Sequence, residues 1–244
     1  MDAALVSPSN IAWQPAMPSA CQTCSAERFC RPVGQAEPSS MFPVNRSRKV
    51  IHRGESVYRT GDALQNFFLL RSGSVKMRVT NSSGLEQITA FPVAGAMLGL
   101  DGIETGHHTC DAIALEDSLV CVLPFADLMR NCRDDFGAAQ HFNRLIAHDT
   151  NQYCRLLLTL GCMSAEERVA GFLIGISEQM SASGYSPMAF TLKMTREDIA
   201  NHLGMKVETV CRVFSRLQEA ALVQVRKRQL EIRNVDALRK MSCG

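Results

Sequence analysis

At 244 residues the chain is long enough for two modest domains, each with a core of its own. A composition that is 46% hydrophobic and 20% charged describes a soluble globular protein and excludes a disordered polyelectrolyte. The net charge of +2 excludes a polycation, and no stretch approaches the roughly 20 apolar residues of a membrane span.

Residues 1–47 read as an irregular tail broken by Pro8, Pro15 and Pro18, without the basic start and apolar run of a secretory signal. A cytoplasmic protein is therefore expected. Three of the chain's ten cysteines fall close together in this tail, in Cys21-Gln-Thr-Cys24-Ser-Ala-Glu-Arg-Phe-Cys30. A two-residue gap lets a turn aim two sulfurs inward, so all three thiolates can reach one metal centre. In a reducing compartment such a cluster is expected to ligate metal rather than form disulfides. Spacing leaves Cys110, Cys121 and Cys132 all open as a fourth ligand. It also leaves open an iron-sulfur centre, a structural zinc site and a redox-sensing thiol.

From residue 48 to about 134 the pattern becomes short apolar runs broken by glycines, among them Gly54, Gly61, Gly73, Gly84, Gly95 and Gly106. Phe67-Phe68-Leu69-Leu70 and Gln87-Ile88-Thr89-Ala90-Phe91 are such runs, and Val75-Lys76-Met77-Arg78-Val79 alternates as a half-buried strand should. Many short strands at turn-limited spacing predict a small antiparallel barrel or jelly roll. His107 and His108 lie in this region without a partner motif and are read as barrel-loop residues rather than ligands.

Over 135–163 the period turns helical. Phe142, Ile146, Asp149, Tyr153, Leu156 and Leu160 recur at alternating spacings of four and three, the repeat of a coiled-coil seam between two copies of the chain. An ordinary helix packed on its own barrel gives the same pattern. Asp149 would meet its twin across a two-fold seam and weaken it. A second helix follows from Ser164, where Ser-Ala-Glu-Glu resembles a capping-box start.

The last segment has the grammar of a helix-turn-helix. Thr195 caps a short helix with Asp198 at the capping-box position, Ile199 and Ala200 face inward, and Gly204 supplies the turn. Val207, Val210 and Val213 form the buried stripe of the second helix. Lys206, Glu208, Thr209, Cys211, Arg212 and Arg216 occupy the opposite face. An apolar back and a hydrogen-bonding front are what a helix needs to enter the major groove of double-stranded DNA. Arg212 suits guanine O6 and N7, and Glu208 suits cytosine N4. Beyond it, two alternating runs flank Arg226-Lys227-Arg228 and predict a hairpin wing whose tip meets phosphate. Residues 195–240 carry ten Lys and Arg against six acids, a locally basic module in a nearly neutral chain. No nucleophile elbow, P-loop or dinucleotide fingerprint is present, so an enzyme is not expected.

Taken together, the chain resembles the Crp/Fnr superfamily of bacterial transcription regulators, and within it the oxygen-responsive FNR and ANR type. The resemblance runs from Cys21 to Leu238. It rests on the cysteine cluster with Arg71-Ser-Gly-Ser, Glu86-Gln-Ile-Thr, Gly106-His-His, Ser118-Leu-Val-Cys-Val-Leu-Pro-Phe, Ala165-Glu-Glu-Arg and Val207-Glu-Thr-Val-Cys-Arg.

It implies an α+β fold: a tail over 1–47, a cyclic-nucleotide-binding-like antiparallel β-roll over 48–134, a long dimerisation helix over 135–163, and a winged helix-turn-helix over 164–244. It implies a 4Fe-4S cluster on Cys21, Cys24, Cys30 and Cys121, which oxygen would convert to a 2Fe-2S form and then destroy. It further implies a homodimer that meets palindromic TTGAT-like half-sites and RNA polymerase at anaerobically expressed promoters. No cyclic nucleotide is expected, because residues 95–110 offer no arginine to meet its phosphate. One departure is Cys211, which stands where the family carries serine. A thiol is the poorer hydrogen-bond donor, so preference at one base step is expected to relax.

Overall fold

The computed structural model describes residues 47–242. Cys21, Cys24, Cys30 and the tail that carries them lie outside this range. Eight antiparallel strands form two four-stranded sheets. The first sheet orders β1 (Ser47–Ile51), β8 (Ser118–Pro124), β3 (Asn66–Ser72) and β6 (Met97–Leu98). The second orders β2 (Ser56–Tyr58), β7 (Asp111–Ala114), β4 (Val75–Thr80) and β5 (Glu86–Ala90), so β5 is an edge strand.

The continuous apolar run of β3 has a direct cause. Phe68 and Leu70 pack with the roll's interior, where Ile51, Val75, Met77, Cys110 and Val120 are buried. Phe67 and Leu69 belong instead to a cluster on the other face with Cys121, Leu123, Leu128 and Phe142. A strand buried on both faces has no reason to alternate. By contrast β4 buries Val75 and Met77 while Lys76 and Arg78, which alternate with them, stay half-exposed, as its alternation predicts.

A helix that the sequence reading left unassigned, α1 (Phe125–Asp134), follows β8 and buries Leu128. Asp135 then takes an extended backbone and its carboxylate accepts from the Gly137 amide at 2.8 Å, which ends one helix and starts the next. The long helix α2 (Phe136–Cys162) has 27 residues and only two fully buried, Ala138 and Phe142. Phe142 and Ile146 pack on the chain's own roll. Asp149, Tyr153, Leu156 and Leu160 are half-buried, whereas Leu157 and Leu158 are 70% and 54% exposed.

Midway along α2, Asp149 and Tyr153 face a polar group inside the roll. There Asp101 accepts from the Tyr58 hydroxyl at 3.0 Å and from the Thr109 amide at 2.8 Å, and the His108 ring stacks on Tyr58 with centroids 3.6 Å apart. Burial alone would raise the Asp101 carboxyl, but the bonds from His108 and Thr109 outweigh it and hold the group below the usual range. Asp149 goes the other way. Burial raises it and the negative Asp101 adds to the rise, with only His148 opposing. Tyr153 is raised as well, chiefly by burial and then by Asp149, while a hydrogen bond shared with Thr89 of β5 acts against the rise.

The second half of the chain begins with α3 (Ala165–Ala182), opened by a complete capping box between Ser164 and Glu167. Next come β9 (Ala189–Thr191), α4 (Arg196–His202), α5 (Val207–Glu219), β10 (Val223–Arg226), β11 (Gln229–Ile232) and α6 (Val235–Ser242). The wing is a three-stranded sheet ordered β10, β11, β9, one strand more than the predicted hairpin. One apolar cluster runs through this half and into the roll, joining Ile88, Phe91 and Leu115 to Phe172, Leu203, Val210 and Leu230.

Two substitutions test this packing. Gly73, at the β3–β4 turn, has φ +94°, and a Cβ there would stand 2.8 Å from the Ser118 Cα. Gly73→Ala is expected to cost about 3 kcal/mol in urea unfolding without a change of slope. Asp149→Asn is expected to raise the thermal midpoint near neutral pH, by about 2–4 °C per kcal/mol relieved. Because the folded carboxyl titrates above its unfolded value, the penalty of the charge is fully present above the folded pKa and fades as pH falls through it. The advantage of the asparagine variant should therefore shrink in melts taken toward about pH 4.

Candidate nucleic-acid interface and cysteine site

The reading head is built from local signals that agree. Thr195 and Asp198 complete a capping box, with the Asp198 amide bonded to Thr195 Oγ1 at 3.0 Å and the Thr195 amide to Asp198 Oδ2 at 2.9 Å. Gly204 takes φ +61° in the turn, where a side chain would also press on Leu160 of α2. Helix α5 buries Val210, Val213, Phe214 and Leu217, while Val207 is half-buried. The inward stripe thus reaches further along the helix than the three valines that the sequence reading picked out. Arg196 of α4 closes the head from behind, with its guanidinium 3.6 Å above the centre of the Phe214 ring.

All six predicted reading residues lie on the opposite face. Lys206, Glu208, Cys211, Arg212 and Arg216 are exposed and Thr209 is half-exposed. Arg212 donates from Nη2 to Thr209 Oγ1 at 3.3 Å, which holds its fork over the first turns of α5. Arg216 pairs with Glu166 at the start of α3. The face offers a carboxylate acceptor, a planar guanidinium and a hydroxyl within two helical turns, a set able to bond base edges in the major groove. Alongside it, Arg226, Lys227 and Arg228 are exposed at the wing tip, where Lys227 takes φ +58°. Such a tip presents charge to a phosphate backbone.

The cysteines separate by environment. Cys121 is 5% exposed on β8 and sits in the apolar cluster with Ala138 and Phe142, at the foot of α2. Cys110 lies in the roll's interior, where burial first and then the Asp101 carboxylate push its thiol far up and oppose a thiolate. Burial and Asp135 also raise Cys132. Cys154, Cys162 and Cys211 are exposed. Among the described residues no three His, Cys, Asp or Glu converge as metal ligands, and no helix is long and apolar enough to cross a membrane.

The sequence reading missed how the head is held. Asn201 and His202 of α4 meet the free edge of β5. Asn201 Nδ2 donates to the Glu86 carbonyl at 2.9 Å, its Oδ1 accepts from the Ile88 amide, and His202 Nδ1 lies 2.9 Å from the Ile88 carbonyl. Burial lowers the His202 ring, with the Ile88 bond opposing, so it serves here as a neutral donor. Lys76 of β4 reaches Asp198 at 2.6 Å. Burial would raise that carboxyl, but Lys76 and the Thr195 amide hold it low. Glu86-Gln-Ile-Thr was visible as a motif, yet its partners lie more than a hundred residues away, and no local pattern encodes them.

Comparison with known proteins agrees with this architecture. Residues 48–135 match the cyclic nucleotide-binding domain, and residues 167–241 match the Crp-like helix-turn-helix domain. The chain is 35% identical over 229 residues to the fumarate and nitrate reduction regulatory protein of Escherichia coli strain K12, covering 91% of this chain and 90% of that one. It is 35% identical over 223 residues to the transcriptional regulatory protein btr of Bordetella pertussis strain Tohama I, covering 91% and 92%. The solved structure of FixK2 from Bradyrhizobium japonicum superposes with a TM-score of 0.75 at 25% identity, covering 82% of this chain and 98% of that one. A roll, a long helix and a winged reading head, together with this extent of identity, make the chain a member of the Crp/Fnr family of transcription regulators, DNA-binding proteins rather than enzymes.

Proposed function

We propose that the chain is a cytoplasmic, oxygen-responsive regulator of anaerobically expressed genes, active as a homodimer carrying a 4Fe-4S cluster on Cys21, Cys24, Cys30 and Cys121. The supporting observation is the setting of Cys121, buried on the outer face of the roll and sharing an apolar cluster with the foot of α2. A ligand there ties whatever holds the N-terminal thiolates to the start of the long helix. The donor chemistry fits, since four thiolates suit four irons and an apolar shell limits solvent access. When bound, such a cluster supplies an oxygen-labile centre. The relative named for fumarate and nitrate reduction supports the same reading.

In this reading residues 48–134 are the sensory roll, 135–163 the dimerisation helix and 164–244 the reading head. The dimer forms along α2, where Leu157 and Leu158 expose apolar surface beside Leu156 and Leu160 of the proposed seam. Within that seam, Asp149 already carries a burial penalty against its own roll, so pairing with a second copy leaves the dimer marginal and easily tipped. Lys206, Glu208, Thr209, Cys211, Arg212 and Arg216 read palindromic TTGAT-like half-sites, and the bound dimer recruits RNA polymerase. A cyclic nucleotide is not the effector. The roll sets the Asp101 carboxylate, held ionised, in the segment where a cyclic phosphate would need a cation.

Two measurements test this. Arg212→Ala should weaken binding to the palindrome about ten- to a hundredfold while leaving non-specific binding and its salt slope nearly intact. Normal operator affinity in gel shift would remove Arg212 from the reading face. Purified without oxygen, the full chain should be brown, bleach in air and contain iron and sulfide. Cys121→Ser should lose that absorption while the reading head still melts as in the wild type. An unchanged spectrum would exclude Cys121 as a ligand, and a colourless wild type containing zinc would turn the sensing role to thiol chemistry.

A further inference from the structure

A helix ends with carbonyls that have no partner within it, and an edge strand carries backbone groups that have no neighbour. The C-terminal end of α4 and the outer edge of β5 meet and satisfy one another. Gln87 Nε2 donates to the Asn201 carbonyl at 2.8 Å and to the His202 carbonyl at 3.3 Å. Asn201 returns the favour with both ends of its amide, bridging the Glu86 carbonyl and the Ile88 amide as a neighbouring strand would.

The next carbonyl of the same helix end is taken from a different direction. Arg168 of α3 donates from Nη1 to Leu203 O at 2.9 Å, from Nη2 to Leu160 O at 3.0 Å and from Nε to Met163 O at 2.8 Å. One guanidinium therefore joins the end of the long helix, the hinge after it and the turn that leads into α5. Successive carbonyls at the C-terminal end of α4, those of Asn201, His202 and the capping Leu203, are gripped by Gln87 from the roll and by Arg168 from α3. Side chains at both points come from segments marked out by the sequence, Glu86-Gln-Ile-Thr and Ala165-Glu-Glu-Arg, to which the reading function assigns no role.

We propose that Gln87 and Arg168 are positioning residues for DNA reading: they clamp the C-terminal end of α4 and so fix the recognition helix relative to the long helix. The clamp touches no DNA. It sets where one reading head points, and in a two-fold dimer that sets the distance between two heads. This rests on the dimeric DNA-reading function proposed above. A planar fork suits Arg168, because three separate nitrogens each meet a different carbonyl, a spread that a single lysine ammonium does not reproduce.

The test uses the full chain with Gln87→Met, which keeps the volume and removes the donors, and with Arg168→Lys, which keeps the charge and removes the fork. Hydrogen–deuterium exchange in α4 and its turn should speed up about three- to tenfold, roughly the net worth of one hydrogen bond, with β3 and β8 unchanged. The second readout is gel shift on a palindrome selected by the wild-type chain from a random duplex pool. Spacing between half-sites is then altered by one base pair. The wild type should discriminate the spacings, and each variant should lose about fivefold of that discrimination while binding a single half-site normally. Unchanged exchange, or faster exchange with a wild-type spacing preference, would overturn the clamp. Selection of a palindrome unlike TTGAT would overturn only the operator assignment, since spacing is read on whichever palindrome emerges.

Discussion

The edge of β5 is the constraint on which the architecture turns. Left open, its Glu86 carbonyl and Ile88 amide would offer pairing to any passing strand, and the end of α4 would carry exposed carbonyls. Each side closes the other, and the closure is directional because hydrogen bonds of this kind tolerate little displacement. Beneath it the apolar cluster crosses the same boundary, with Ile88 and Phe91 from the roll packed among Phe172 and Leu203. The ring of His202 meets Phe91 and Phe172 edge-on or tilted at 5.2 and 5.9 Å, and so adds packing to a polar contact. Apolar burial makes the two halves adhere, and the polar groups decide the angle at which they do so.

Three stations along α2 explain why a helix so long is anchored so lightly. At its foot Phe142 and Ala138 pack beside Cys121, in the middle Asp149 and Tyr153 face Asp101 and Tyr153 shares a bond with Thr89, and at its end Leu160 is held through Arg168. Only the first station is fully buried. At the middle one burial and the Asp101 carboxylate raise the Asp149 carboxyl, so its charged form works against the contact. Thr89 and Ile88 are adjacent on β5, one bonded to the long helix and the other to the reading head. The long helix and the reading head thus make contact with neighbouring residues of one strand.

Local chemistry was legible in the sequence wherever it was self-contained. Two capping boxes, the turn glycine Gly204 and the alternation of β4 each involve residues within a few positions, and each formed as its spacing predicts. The exposed front of α5 followed from its apolar back. Helix α1 was missed because Phe125 follows directly on a strand through Pro124, leaving no polar cap to announce it. The third strand of the wing was missed because Ala189–Thr191 is too short to show a period. Nothing in Asn201 or Gln87 taken alone marks a contact that spans 114 positions. Such pairs are set by how two finished units dock, and that information is spread over the whole surface of each.

The reading face carries more restraint than its basic charge suggests. Glu208 sits among the arginines of α5, and Glu166 already engages Arg216 from the neighbouring helix. An arginine paired in the free protein must give up that partner to reach phosphate, so its net gain on DNA is less than its charge implies. Acid placed within a basic face lowers the sequence-independent part of affinity while leaving base-edge geometry intact. In the proposed dimer, with less non-specific attraction, occupancy of an operator would depend more on both heads being correctly spaced, which is the role proposed for the grip on α4. A head that bound DNA strongly on charge alone would ignore such a grip. The acid-tempered charge of the α5 face and the hydrogen-bonded hold on α4 therefore favour geometry over charge as the basis of the proposed reading.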